Sequence, residues 1–352
     1  FTLARGANPG SDIAISEEWA AGSRNFCNKL WNAVRFALLN GAHLPAAPPA
    51  PATPLTPVTP PTPLTPAIPT APLAPAIPAA PIDKSDISYS VPDRWILSRL
   101  SAVTAEVDAL FEQFEFGKIC DVLYHFAWDE VCDWYLELAK VPLNSGDQTA
   151  AETTRQVLGF VLDQLLRLLH PVIPFVTDEL WTALTGEDSV MVASWPGFSY
   201  ADAAAETEIS SLMRLVTEVR RFRSDQGLRP GQRVAARLVG IEATPLAGHE
   251  ERIRSLLRLD PPAEGFAPSA SLAAEGIAVQ LDVAGAVDVA AERRRLEKDL
   301  AAARAEAEQA ARKLDNAEFT AKAPSAIVAK TRERLEAARS DITRLEQRLA
   351  AI

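Results

Sequence analysis

The chain has 352 residues, 48% of them apolar, and a formal net charge of −11. That is enough for two or three domains with cores of their own, and no apolar run approaches the ~18 residues of a membrane span. The three cysteines, Cys27, Cys120 and Cys132, have no paired spacing, which argues against a disulfide framework or a zinc module. Free thiols in a reducing cytoplasm are the expectation. The charge is uneven: residues 292–352 carry 14 Lys/Arg against 11 Asp/Glu, and the excess of acid lies in the rest. The C-terminal stretch is therefore the expected electrostatic contact for a polyanion.

Residues 16–40 read as one helix. Ser16 is its N-cap, Glu17 and Glu18 suit the positive end of the helix dipole, and Asn40-Gly41 is a stop signal. At 100° per residue, Phe26, Leu30, Ala33 and Ala37 share a packing face, while Arg24, Asn28, Trp31 and Arg35 share the opposite one. Guanidinium groups pair with phosphate and stack on bases, and an indole offers a base a platform. The alternative is a helix packed on two sides, with Trp31 in a second seam and the arginines solvated.

Residues 43–82 follow a three-residue proline period from Pro45 to Pro81 without a glycine, which excludes collagen. A polyproline II ridge of this length would extend on the order of 110 Å. An extended linker is the expectation, and a ligand for a proline-recognising module is the alternative. Residues 92–185 read as a helical bundle. Leu97, Leu100, Val103, Val107, Leu110 and Phe114 recur at helical spacing, as do Val157, Phe160, Val161, Leu165 and Leu168. Residues 118–140 are apolar or aromatic on most sides, as in a central helix. Asp129, Glu130, Asp133 and Glu137 cluster there. Carboxylates so placed can hold a metal or move protons, but no further ligand converges, and ion pairing with Arg94 or Arg99 is expected. Cys132 reads as a small core residue. His170-Pro171 ends one helix and Pro174 opens the next.

Residues 211–224 read as a helix with Leu212, Leu215, Val216, Val219 and Phe222 inward and Arg214, Arg220, Arg221 and Arg223 on its other sides. Strands at 234–239 and 277–283 and a short helix near 249–259 suggest a small α+β connector over 225–288. Last come two heptad seams: Leu296, Leu300, Ala303, Ala307, Ala310 and Leu314, then Val328, Thr331, Leu335, Ala338, Ile342, Leu345 and Leu349. They predict an antiparallel coiled-coil hairpin about 40 Å long. The fold class is mostly α. Its expected segments are 1–42 (start of the bundle), 43–82 (linker), 83–224 (bundle), 225–288 (connector) and 289–352 (arm).

Several blocks resemble a known family in family order. They are Arg24-Asn-Phe-Cys-Asn-Lys-Leu-Trp-Asn-Ala-Val-Arg-Phe36, Asp93-Arg-Trp-Ile-Leu-Ser-Arg-Leu100 and Trp128-Asp-Glu-Val-Cys-Asp-Trp-Tyr-Leu-Glu-Leu-Ala-Lys140. Leu169-His-Pro171, Pro174-Phe175, Asp178-Glu-Leu-Trp181, Met191-Val-Ala-Ser-Trp-Pro196 and Lys313-Leu-Asp-Asn-Ala-Glu-Phe319 with Lys322-Ala-Pro324 complete the set. Together they resemble the anticodon-binding domain and C-terminal coiled-coil arm of valyl-tRNA synthetases, which are class I ligases. The resemblance implies that Arg35 and Phe36 lie near the bound anticodon; from its residue type alone Phe36 reads equally as core. It also implies that Asn316, Phe319 and Lys322 form an arm tip against the outer corner of tRNA; the alternative for Phe319 is a ring tucked under its own turn with Pro324. Before Trp19, where some relatives are expected to be basic, this chain has Glu18.

Neither a His-Ile-Gly-His nor a Lys-Met-Ser-Lys-Ser signature occurs, nor a glycine-rich phosphate loop, and His43, His125, His170 and His249 lie far apart. No catalytic, cofactor-binding or metal residue is therefore assigned. The chain begins at Phe1, so the expectation is the C-terminal part of a longer ligase whose missing half uses ATP and Mg²⁺. The expected partner is tRNA(Val), without membrane or DNA, bound by a cytoplasmic monomer. The alternatives are a fragment of an isoleucyl- or leucyl-type synthetase, and a non-enzymatic helical scaffold. The isoleucyl enzyme commonly ends in a cysteine-rich zinc module and the leucyl one lacks this arm.

Overall fold

Caps and breakers place the helix ends. A computed structural model describes residues 1–6, 16–45, 89–283, 289–316 and 325–351. Contacts divide the chain into two compact units, Phe1–Val216 with Glu242–Leu256, and Thr217–Ile241 with Leu257–Ile352.

The first unit is helical. It holds α1 (Thr2–Gly6), α2 (Glu17–Leu39), α3 (Val91–Glu112), α4 (Phe116–His125), α5 (Leu136–Asn144), α6 (Gln148–Leu169) and α7 (Pro174–Thr185). The first part of α8 (Ala203–Asp225) and most of α9 (Glu250–Leu257) complete it. Ser16 caps α2, its side chain accepting from the Trp19 N–H. Ser90 caps α3 in the same way, accepting from Asp93. Phe26, Leu30, Ala33 and Ala37 are all buried, as the packing face of α2 requires. Trp181, Tyr135 and Phe126 are the other large fully buried rings. Among the described residues no helix is long and apolar enough to cross a membrane.

Two expectations fail locally. Residues 118–140 are not one regular helix: between α4 and α5 the chain follows a π-helix over Phe126–Tyr135, and the Leu136 N–H donates to the Val131 carbonyl, five residues back. The wider turn sends successive acids to different neighbours. Asp129 meets His125 Nδ1 at 2.8 Å, Glu130 takes Arg99 in a two-point contact at 2.7 and 2.9 Å, and Asp133 takes Lys29 at 2.6 Å. Arg94 instead reaches Asp202 at 2.8 Å. Cys132 is partly buried beside them, and burial pushes its thiol up to about 12.

The second failure is Phe114. It does not extend the α3 seam but follows the helix end in the left-handed region at φ +57°. Its N–H donates to Phe111 and that of Glu115 to Leu110, a Schellman closure whose left-handed position is usually glycine. Phe114 is left 75% exposed.

The second unit has a four-stranded sheet in the order β2-β1-β4-β3, from β1 (Val234–Val239), β2 (Leu259–Asp260), β3 (Ala270–Ala274) and β4 (Ile277–Leu281). β1 pairs with β2 in parallel and with β4 antiparallel, and β3 and β4 form a hairpin. Its two-residue turn is Glu275-Gly276, both at positive φ, as a primed turn demands. β2 is too short for a periodic signal, and the Ala-rich β3 has little strand propensity. In the same unit, Arg223 is buried rather than spread on a surface, its guanidinium donating to the Gln232 carbonyl. The hairpin of α10 (Val289–Asp315) and α11 (Ser325–Ala351) also belongs here. Leu296, Leu300, Ala310, Val328, Ala338 and Leu345 are buried along its seam, as the heptads require.

Candidate nucleic-acid interface

The outer face of α2 is the arrangement in the first unit best suited to hold RNA. Arg24, Asn28, Trp31 and Arg35 are all exposed, Trp31 at 47%, so the second-seam alternative for that ring does not hold. None of the four side chains has a hydrogen-bond or ion-pair partner among the described residues. Arg24 to Arg35 spans about 16 Å along the axis, against about 10 Å for three stacked nucleotides. Phe36 is half-buried, one step round the helix, with the Lys140 ammonium 5.8 Å from its ring centroid. An indole flanked by two free guanidinium groups can stack a base and neutralise the phosphates on either side of it.

The rest of α2 is clamped, so this face has a fixed direction. Midway, the Lys29 ammonium bonds Asp133 at 2.6 Å and lies 3.7 Å from the Trp128 ring centroid. At the C-terminal end, Arg155 of α6 donates to the Asn40 carbonyl at 2.8 Å, and Asn40 Nδ2 donates back to Phe36. Beyond it, His43 Nε2 pairs with Glu152 at 3.1 Å. Gly159 makes this approach possible: a Cβ there would stand 2.2 Å from the His43 carbonyl oxygen. Residues 43–45, expected in the linker, thus lie on α6, and the remainder of the proline-rich stretch lies outside the described residues. None of these clamps was legible from spacing. Apart from Asn40 with Phe36, each joins residues about 100 apart in sequence.

Beneath the bundle, Asp93 is buried. It accepts from Tyr135 Oη at 2.7 Å, Ser90 at 2.6 Å and Thr154 at 3.2 Å. Burial raises its carboxyl above the ordinary range, against the pull of those three donors. The family-like block at 93–100 is therefore framework. At the other end of α2, Glu18 and Trp19 border a cavity of about 440 Å³ shared with Arg5, Asp121 and Tyr124.

In the second unit the hairpin presents charge along two helices. Arg304 pairs with Glu346 at 2.6 Å and Arg334 with Glu306 at 2.9 Å, each across the seam. Lys298, Lys313, Lys330, Arg332 and Arg339 are exposed and meet no acidic partner among the described residues. Asn316 is exposed just past the end of α10. Phe319 and Lys322 lie outside the described residues.

Residues 93–238 match the family model described as the anticodon-binding domain of tRNA ligase, which places the bundle among the tRNA-handling domains of aminoacyl-tRNA ligases. Residues 288–352 match the valyl tRNA synthetase tRNA binding arm. The chain is 51% identical over 350 residues to the valine–tRNA ligase of Streptomyces coelicolor, covering 99% of this chain. It is 47% identical to that of Nocardia farcinica and 48% to that of Mycobacterium tuberculosis, each covering 100% of this chain. The chain belongs to the valine–tRNA ligase family and corresponds to the C-terminal part of these relatives. It spans 36% of the length of each of these relatives.

Proposed function

We propose that this chain grips tRNA(Val) for a valine–tRNA ligase whose remaining part esterifies the tRNA with valine at the expense of ATP. In this reading α2 reads the anticodon and the hairpin holds the tRNA body. The observation that carries it is the α2 face: two guanidinium groups, an amide and a half-exposed indole, all free, on a helix clamped at its middle and its C-terminal end. Trp31 stacks an anticodon base, Arg35 bonds a base edge with Phe36 beside it, and Arg24 and Asn28 take the backbone. The hairpin's basic side chains add affinity that does not depend on sequence. Asn316, Phe319 and Lys322 are assigned to the arm tip on the family resemblance. ATP and Mg²⁺ fall to the remaining part. Among the described residues no three His, Cys, Asp or Glu side chains gather as a metal site.

Filter retention of valine tRNA and of an anticodon-swapped tRNA, at two salt concentrations, tests the division of labour. Trp31→Ala with Arg35→Ala should remove most of the preference for the valine anticodon, about 1–3 kcal/mol. Deleting 289–352 should weaken both tRNAs alike and flatten the salt dependence. Equal loss on both tRNAs from the α2 variant would take the anticodon away from this face. No effect of the deletion on affinity or salt slope would leave the hairpin as a protein-contact device and favour the scaffold.

A further inference from the structure

The stretch that joins α8 to β1 is basic in an acidic chain. Residues 217–241 carry six arginines against Glu218 and Asp225, while the whole chain has a net charge of −11. The RNA reading above uses none of them. Arg223, on the last turn of α8, is only 5% exposed. Its guanidinium donates to the Gln232 carbonyl, and its Nη1 has no hydrogen-bond partner. No carboxylate pairs with it among the described residues, and burial pulls its pKa below the ordinary value. A buried cation without a counter-charge is costly, and an apolar side chain of similar length would pack there at lower cost. Folding alone gives no reason for the charge.

The turn over Arg223 adds two more cations. The Gln232 N–H donates to the Arg229 carbonyl at 3.0 Å, and Gln232 Oε1 accepts from the Arg229 N–H at 3.2 Å. Gln232 thus ties Arg229 to the same point as the Arg223 guanidinium. On the β2 side, the Val234 N–H donates to the Arg258 carbonyl at 3.3 Å, where the parallel pair of β1 and β2 begins. Arg258 follows α9 at φ +53°, a left-handed position that glycine fills without strain. Arg229 and Arg258 are exposed, and their side chains have no ionic partner among the described residues. The acids of the same elements are engaged or further off. Asp260 holds Arg233 at 2.7 Å, and Asp225 lies 3.6 Å from Arg344 of α11. Glu218 is further back on α8, and Asp282 is bonded beside Ala235, further along β1. Three guanidinium charges therefore gather at this turn without a carboxylate of their own.

We propose that the turn at residues 228–233 is a phosphate-binding site that holds the tRNA backbone, with Arg229 and Arg258 as its contacts and Arg223 as the buried charge beneath them. The proposal rests on the functional reading above and adds to it a contact apart from α2 and the hairpin. A guanidinium fork matches two phosphate oxygens at once, which an acidic side chain elsewhere in the chain does not exploit here. Phosphate need not reach Arg223: an uncompensated charge under a thin layer of protein raises the potential at the surface above it. One free ion would satisfy one fork, whereas two forks carried on separate segments, before β1 and before β2, suit successive phosphates of a strand.

The test uses the whole chain, with filter retention of tRNA over a salt series and melting followed by tryptophan fluorescence. Arg229→Gln with Arg258→Gly should weaken valine tRNA and an anticodon-swapped tRNA alike, by about tenfold, and lower the salt slope by about 1.5. The melting temperature should hold or rise, because glycine relieves the left-handed backbone at 258. Arg237→Gln removes a charge from the same sheet, where the guanidinium lies 5.0 Å from the Phe266 ring centroid, and should change neither affinity nor slope. Arg223→Met keeps the packed stem and should also weaken both tRNAs; if it fails to fold, the two rim arginines decide. Unchanged affinity and slope in the double variant overturn the proposal. An equal loss from Arg237→Gln also overturns it, since the effect would then be one of net charge. Inorganic phosphate at constant ionic strength tests the other source of the same chemistry. If it raises the melting temperature of the native chain alone, while native chain and double variant hold tRNA equally, the site takes a free anion and the backbone assignment falls. A native chain that retains neither tRNA would remove the functional reading itself, a result distinct from equal binding by native chain and variant.

Discussion

The helical bundle and the coiled-coil hairpin reach order by opposite routes. In the bundle, buried polar side chains tie together helices far apart in sequence. Asp93, for example, lies on α3 and takes Thr154 of α6, 61 residues away, as well as Tyr135. In the hairpin the seam is small: Leu296, Leu300 and Leu345 are buried, with Ala303, Ile342 and Leu349 packed against them. Its cross-helix ion pairs, such as Arg304 with Glu346, are about half exposed. One region depends on satisfied buried polar groups, which are costly to disturb, and the other on a repeated apolar seam whose charges are cheap to change. The difference suits the proposed division of labour: a clamped bundle can aim a reading face, and a hairpin with replaceable surface charge can hold phosphates.

The sharpest way to break the comparison is at Asp163. Its carboxylate is buried and accepts from Trp181 Nε1 at 2.7 Å, Arg167 Nε at 2.9 Å and Gln164 Nε2 at 2.7 Å. Asp163→Ala removes the shared acceptor and strands an indole N–H and a guanidinium with little access to water. The expected loss is about 3–5 kcal/mol. Thermal melting followed by tryptophan fluorescence measures it. A loss under 1 kcal/mol would mean that the bundle is held by apolar burial alone, like the hairpin.

The same contrast explains what could be read in advance. The buried side of α2 and the hairpin seam were legible because their partners lie at helical spacing, and periodicity records that. Arg99 with Glu130 was legible as a class of contact, though Arg94 chose Asp202, 108 residues away. The π-helix at Phe126–Tyr135 has the composition of an α-helix, and only tertiary packing selects the wider turn. Phe114 continued the α3 spacing in sequence while the chain had already turned out of the helix. Arg223 looked like one more surface arginine because its acceptor is a backbone carbonyl, which carries no residue-type signal. Residue types and spacing also single out the outer face of α2, on which the proposed RNA contact rests, while the clamps that fix that face needed the fold.

A second prediction sharpens the comparison with pH. His249 is buried, and its Nε2–H donates to Glu208 at 2.8 Å, while Nδ1 has no partner among the described residues. Burial, and next the charge of Arg252, hold its pKa below the ordinary 6.5, against the pull of Glu208. The native state therefore binds the proton less readily than the unfolded chain. Stability is complete above pH ~6.5, falls as the pH drops through that value, and levels off below the native pKa. Protonation would create a buried Nδ1–H donor without an acceptor, a cost of about 1–3 kcal/mol. Comparing melts at pH 7.5 and 5.5 for the native chain and His249→Gln isolates the effect, since the variant should lose that part of the pH slope. A native chain as stable at pH 5.5 as at 7.5, relative to the variant, would show that the orphan nitrogen costs nothing.

The smallest expected effect is in the hairpin, and its smallness is the point. Arg304→Glu sets two carboxylates across the seam where Arg304 and Glu346 now meet at 2.6 Å. Both side chains are largely in water, so the exchange should cost less than about 1 kcal/mol, and added salt should shrink it further. The double exchange, Arg304→Glu with Glu346→Arg, should restore the original melting temperature. Leu345→Ala, at the centre of the buried seam, should cost clearly more than Arg304→Glu. If the order is reversed, with the ion pair outweighing the leucine, the hairpin is held by specific charge pairing. Its surface cations would then not be free for phosphate, and the contrast with the bundle would fail.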